Sequence, residues 1–112
     1  MSVTVEASGT QAATIGTEHV LHTNSGSKTF VLIVDTVNML IGDTLMVEVY
    51  VMVLSGGTAR EAYVAMYTHA QTDEPIKISV PIPSPGQTNG WKATLTQVAG
   101  TGRNFDWTVV SV

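Results

Sequence analysis

Apolar and polar residues alternate with a period of two along residues 43–54. After Asp43 every odd position is apolar, and the even positions include Thr44, Glu48 and Tyr50. Successive side chains of a β-strand point to opposite faces of its sheet, so this pattern predicts a strand with one fully buried face. A chain that contains such a strand must cover that face with a second layer.

The same alternation, or a short apolar run, marks further strands. The run Phe30–Val34 is typical of a strand that is buried on both faces. Alternation predicts strands around residues 60–69, 76–80, 91–97 and 105–112.

Turn residues separate these segments. Ser55–Thr58 contains two glycines and predicts a hairpin that joins residues 45–54 to residues 60–69. Residues 36–41 come nearest to a helix but are too short to form one alone, so we predict a corner there. About eight short strands without a long helix predict an all-β fold. We expect an antiparallel β-sandwich with jelly-roll topology, and a small barrel is the alternative.

The chain of 112 residues has room for one domain. We predict a single β-sandwich domain at residues 13–112 and an N-terminal arm at residues 1–12 that becomes ordered only against a neighbour. Val3 and Val5 are the candidate contact residues of that arm. The first residues lack the basic start and apolar run of a secretion signal, so we expect synthesis in a cytoplasm.

Charged residues make up 12% of the chain, whereas about 25% is usual. No stretch is long and apolar enough for a membrane helix, which predicts no membrane partner. We therefore expect a partner subunit to cover part of the apolar surface. The net charge is −4 and the five basic residues are scattered, which argues against nucleic-acid binding.

Metal and cofactor sites lack support in the sequence. The chain has no cysteine, which excludes disulfides and thiolate sites. His19 and His22 are three residues apart, a spacing that places them on opposite faces of a regular strand. His69 has no carboxylate cluster beside it with zinc-like spacing. We predict no metal and no cofactor.

Catalytic motifs are also missing. Residues 34–37, Val-Asp-Thr-Val, share three residues with the loop of aspartic proteases, but Val37 stands where that loop needs glycine. We expect Asp35 to hydrogen-bond the backbone that follows it, in an Asx-type corner. No serine has the surroundings of a hydrolase nucleophile, and no glycine-rich turn has the phosphate-binding pattern. We therefore predict a protein without enzymatic activity.

The aromatic side chains suggest an alternative function, because a flat aromatic platform binds sugar rings. The candidates for such a platform are Tyr50, Tyr63, Tyr67, Trp91 and Trp107. Both tryptophans fall in phase with the apolar positions of their strands, which predicts burial in the core.

Tyr63 and Tyr67 share one face of a strand. If the even-numbered positions of that strand face the core, the two tyrosines lie outside and are candidates for a contact surface. A carbohydrate- or receptor-binding β-sandwich is therefore the alternative to a subunit-contact function.

Four segments give the chain a family resemblance. They are Thr17–His22, Gly42–Leu45, Gly100–Arg103 and the aromatic strand Arg103–Val112. With these segments the chain resembles the small auxiliary virion proteins of tailed bacteriophages, particularly head decoration (cement) proteins. The resemblance implies a homotrimer on the capsid surface that bridges neighbouring major capsid proteins. It also implies synthesis in the host cytoplasm.

Overall fold

The computed structural model describes residues 2–112, and these residues form strands and turns without a helix. Eight strands of three or more residues and one strand of two residues follow each other along the chain. They are β1 (Thr4–Ala12), β2 (Glu18–Asn24), β3 (Thr29–Asp35), β4 (Thr44–Val51), β5 (Arg60–Thr68), β6 (Ile76–Ile78), β7 (Ile82–Pro83), β8 (Trp91–Ala99) and β9 (Asn104–Ser111).

The strands form two antiparallel sheets. Sheet 1 has the order β1-β9-β3-β6, with β7 also paired to β3, and sheet 2 has the order β2-β8-β4-β5. The connectivity is that of one long antiparallel hairpin rolled up into two sheets. Its paired strands are β1–β9, β2–β8, β3–β6 and β4–β5. This connectivity confirms the predicted β-sandwich with jelly-roll topology.

The core lies between the two sheets. Sheet 1 contributes alternate residues of β3 and β9, including Phe30, Leu32 and Val109, and sheet 2 contributes Leu45 and Leu95. The alternation seen in residues 43–54 therefore marks the buried face of β4, as predicted. In β3 the outward side is also largely covered, which agrees with the prediction from its continuous apolar run.

The connections agree with the turn predictions. Residues 36–43 form two turns instead of a helix, and the loop between β4 and β5 contains the predicted Ser55–Thr58 turn. Gly42 adopts φ +91°, a left-handed conformation that glycine adopts without strain.

The predicted N-terminal arm is part of the sandwich. Residues 4–12 form β1, which pairs with β9 of the same chain from Thr4 opposite Ser111 to Ala12 opposite Asn104. These residues thus pair with a strand of their own chain. The sequence pattern did not predict this strand because its residues are mostly polar. An edge strand with one solvated face needs few apolar residues. Met1 lies outside the described residues.

Candidate interaction surface

The outer face of sheet 1 carries an apolar row that crosses three strands. Phe30, Leu32 and Val34 point into the core, so Val31 on the same strand points outward. In register, Val5 of β1 lies opposite Val110 of β9, and Val110 lies opposite Val31 of β3. The middle of the row is nearly buried, and its Val5 end is open to solvent.

Val3 and Val5, the contact residues predicted in the arm, lie at this end of the sheet. They are 64% and 61% exposed. Contact with another molecule stays a prediction for both residues.

A second apolar strip lies at the β6 edge of the same sheet. Ile76, Ile78 and Val80 are all at least half exposed, although their alternation with Lys77 and Ser79 resembles that of a strand with a buried apolar side. The polar positions point inward instead. Ser79 accepts a hydrogen bond from the Leu32 N–H (3.0 Å), and Lys77 Nζ lies 5.0 Å from the ring centre of Tyr67.

The same face contains a groove of about 420 Å³. Asp35 of β3 and Asp106 of β9 are directly opposite each other in its lining, with Thr10 of β1 and Ile76 of β6 on either side. Sequence reasoning missed this pair, because the two aspartates are distant along the chain and meet only through strand pairing.

Hydrogen bonds orient both carboxylates. Thr10 Oγ1 donates to Asp106 Oδ1 (2.6 Å), and the Val37 N–H donates to Asp35 Oδ1 (3.0 Å). The second bond is the predicted Asx-type corner. Within the described chain neither aspartate forms an ion pair, so the groove presents negative charge beside apolar side chains.

Tyr63 and Tyr67 occupy the inner side of β5, contrary to the expected orientation. Both are partly buried and pack against the core, whereas Val64 and Met66 point outward. Hydropathy does not account for ring size: a tyrosine ring buries more area than a valine side chain and can keep its hydroxyl near the sheet edge. Burial, followed by the neighbouring Tyr63, raises the pKa of Tyr67 to about 12.

The aromatic residues do not form one platform. Trp91 is fully buried and its ring packs on Phe30, with ring centres 5.1 Å apart. Trp107 is partly buried against the core, and Tyr50 lies on the outer face of sheet 2. Burial of Trp91 confirms the prediction made from its strand phase.

The outer face of sheet 2 has a polar network centred on Tyr50. Its hydroxyl oxygen lies 2.7 Å from Glu18 Oε2 and 2.9 Å from Glu48 Oε2, and Thr94 Oγ1 donates to the same Glu18 oxygen (3.0 Å). Lys92 Nζ lies 4.4 Å from the centre of the Tyr50 ring. The hydrogen bond to Glu18, and then burial, raise the pKa of Tyr50.

Two of the histidines accept hydrogen bonds from the backbone. His19 Nε2 accepts from the Thr14 N–H (3.1 Å), and His69 Nδ1 accepts from the Gly42 N–H (3.0 Å). A bulge in β2 places His19 and His22 opposite Leu95 and Ala93, two positions of β8 on the inner face. The expectation that they point to opposite faces is therefore wrong.

No group of three or more histidine, aspartate or glutamate side chains in residues 2–112 is arranged to hold a metal ion. The same residues contain no helix of the length and apolar character that a membrane span requires.

In comparisons with known proteins, no family model, no curated protein and no solved structure matches the chain.

Proposed function

We propose that this chain is a non-catalytic structural protein of a phage virion, a head decoration protein that binds the major capsid protein and copies of itself. The observation that carries the proposal is the pair of exposed apolar edges on the outer side of sheet 1. Val5 lies at one edge and Ile76 and Ile78 at the other, on a chain with few charges to keep such side chains in water.

Paired strands hold this face in a fixed arrangement. Val5, Val110 and Val31 form one row, and Ile33 and Ile78 are paired in another. Such a surface suits contact with another folded protein, whose apolar side chains would replace water. Jelly rolls occur in viral capsid proteins and in lectins, so the fold alone does not choose between these functions.

The groove adds charge to this surface. Among the described residues, no lysine or arginine forms an ion pair with Asp35 or Asp106, and both lie beside Ile76. A lysine or arginine of the capsid partner would pair with these carboxylates while its aliphatic stem packs on the isoleucine.

The protein content of purified virions tests this proposal. Quantitative mass spectrometry of particles of the phage that encodes the chain is expected to find it in a fixed ratio to the major capsid protein. Particles that lack the chain would contradict a virion function.

A further inference from the structure

The strand β5 has an unpaired edge. It lies at the end of sheet 2, and among the described residues only β4 pairs with it. The carbonyl of Thr68, the last residue of β5, accepts a hydrogen bond from Gln71 Nε2 (2.7 Å). Over residues 63–67 the backbone N–H and C=O groups on the other side of the strand are free to pair with another strand.

Natural edge strands are protected by charges, prolines, bulges or short length. Every edge of this sandwich has such a device over part of its length. Glu6 and a bulge occur in β1, Glu18 and a bulge occur in β2, and β6 has only three residues with Lys77 at its centre.

In β5 the charges of Arg60 and Glu61 and the bulge all fall at the start of the strand, and the remaining length lacks these devices. Residues 62–68 contain no charge, proline or glycine, and the only register shift falls at the start of the strand, where Tyr63 and Glu61 pair with Val49 and Tyr50. Val64 and Met66 are 51% and 56% exposed on its outer side.

The sequence of this edge is self-complementary. Residues 63–67 read Tyr-Val-Ala-Met-Tyr, which is nearly the same in both directions about Ala65. Antiparallel pairing of two copies about Ala65 places Val64 of each copy opposite Met66 of the other. It also places Tyr63 of each copy opposite Tyr67 of the other. Contacts across a two-fold axis require this kind of self-complementarity.

We propose that β5 pairs with β5 of a second copy of this chain across a two-fold axis at Ala65, which joins two four-stranded sheets into one of eight strands. This inference rests on the proposed function, because it assigns the contact between copies and leaves the outer face of sheet 1 for the capsid. A two-fold contact builds a dimer, whereas the family resemblance implies a trimer.

Light scattering after size exclusion tests the contact over a dilution series. The wild-type chain is expected to approach twice its mass of 11.9 kDa at high concentration. The double variant Val64→Lys/Met66→Lys is expected to stay monomeric, because each lysine would face a lysine of the other copy.

The matched control is Val20→Lys/Val98→Lys. These side chains are 54% and 43% exposed in the same sheet but lie on β2 and β8. The control is expected to keep the wild-type mass. A Val64→Lys/Met66→Lys variant that also keeps that mass would overturn the contact.

A charge exchange tests the register. The variant Val64→Glu/Met66→Glu is expected to be monomeric alone and to form a heterodimer when mixed with Val64→Lys/Met66→Lys. The opposite charges then meet across the two strands. Failure of the folded variants to associate when mixed would contradict the pairing about Ala65.

A single introduced cysteine tests the β5–β5 contact without weakening it. The chain has no cysteine, so Ala65→Cys introduces one thiol, and the paired strands bring its two copies within the Cα separation of a disulfide. In Ala62→Cys the two thiols would be six positions apart, roughly 20 Å along the strands.

Rapid oxidation is expected to link Ala65→Cys but not Ala62→Cys. Equal linking of the two variants, or a trimer whose mass does not change in Val64→Lys/Met66→Lys, would overturn the β5 contact. Neither result would affect the virion content that tests the proposed function, so the two failures are distinguishable.

Discussion

Arg103 and Asp43, sixty positions apart, form an ion pair in which Arg103 Nε donates to Asp43 Oδ2 at 2.8 Å. The Asp43 side chain is almost fully buried and also accepts hydrogen bonds from the backbone N–H groups of Leu40 and Thr101. The pair therefore joins the loop before β4 to the loop between β8 and β9. These loops contain two of the segments on which the family resemblance rests.

Removal of the cation should destabilise the fold. In Arg103→Met the buried Asp43 carboxylate loses its partner. We expect a loss of about 3 kcal/mol in the free energy of unfolding, the low end for a buried pair, because the Arg103 side chain is partly exposed. Chemical denaturation measures this loss. Lys28→Met is the control, because Lys28 pairs with Glu6 at the surface and its loss should leave the unfolding midpoint nearly unchanged. Equal midpoints for both variants would contradict the role of Arg103.

A β-carbon at Gly100 should be far more harmful than one at Gly42. Both glycines have a positive φ, +96° and +91°, so alanine at either position costs about 1 to 2 kcal/mol in backbone strain. At Gly100 the added carbon would also overlap Asp43, whereas at Gly42 nothing lies within 4 Å. Thermal unfolding of Gly100→Ala and Gly42→Ala measures the difference, and equal melting temperatures would contradict the close packing of Gly100 on Asp43.

Stability should decrease as the pH falls below about 6.5, the ordinary pKa of histidine. Burial lowers the pKa of His22 despite the nearby Glu6 carboxylate, so the unfolded chain binds a proton at a higher pH than the folded chain does. The contribution of neutral His22 to stability is therefore fully present above the pKa that His22 has in the unfolded chain. It is lost as the pH falls toward the lower pKa that His22 has in the folded protein. His22→Gln should remove this part of the loss in denaturation curves measured on either side of the histidine pKa.

A second loss is expected at lower pH. Burial raises the pKa of Asp43, but the hydrogen bonds from Arg103, Leu40 and Thr101 outweigh it, so the net pKa lies below its ordinary value. The stability that this carboxylate contributes is present above about pH 4 and is lost as the pH falls through the lowered pKa. His22→Gln should leave this second loss unchanged.

Tryptophan fluorescence addresses the alternative function. Trp91 is fully buried, and Trp107 is partly buried against the core, so we expect a blue-shifted emission that added oligosaccharides do not change. Quenching by a glycan, absent in a buffer control, would favour the carbohydrate-binding alternative.

Most of the fold could be predicted from the sequence, because the alternation of residues 43–54 and the apolar run of β3 determine which faces are buried. The sequence did not predict which side chains of the edge strands face the core. β5 and β6 each have one solvated side, and there Tyr67 and the stem of Lys77 cover the core edge while Met66 and Ile78 face outward. Hydropathy alone does not predict that a tyrosine and a lysine face the core edge while more apolar neighbours face solvent.

The candidate surface was less predictable than the fold. Val5 was predicted as a contact residue, but its alignment with Val110 and Val31 depends on the register of β1, β9 and β3. The groove depends on the same register, since it places Asp35 opposite Asp106. Pairing between distant segments cannot be derived from the pattern within each segment.

The most direct test of the proposed function is co-sedimentation of the purified chain with capsids, prepared without it, of the phage that the proposal requires to encode it. We predict saturable binding that is lost in Val5→Lys/Ile78→Lys, because both side chains lie on the outer face of sheet 1, and retained in Val20→Lys/Val98→Lys. No binding by the wild-type chain, or equal binding by all three proteins, would contradict the account.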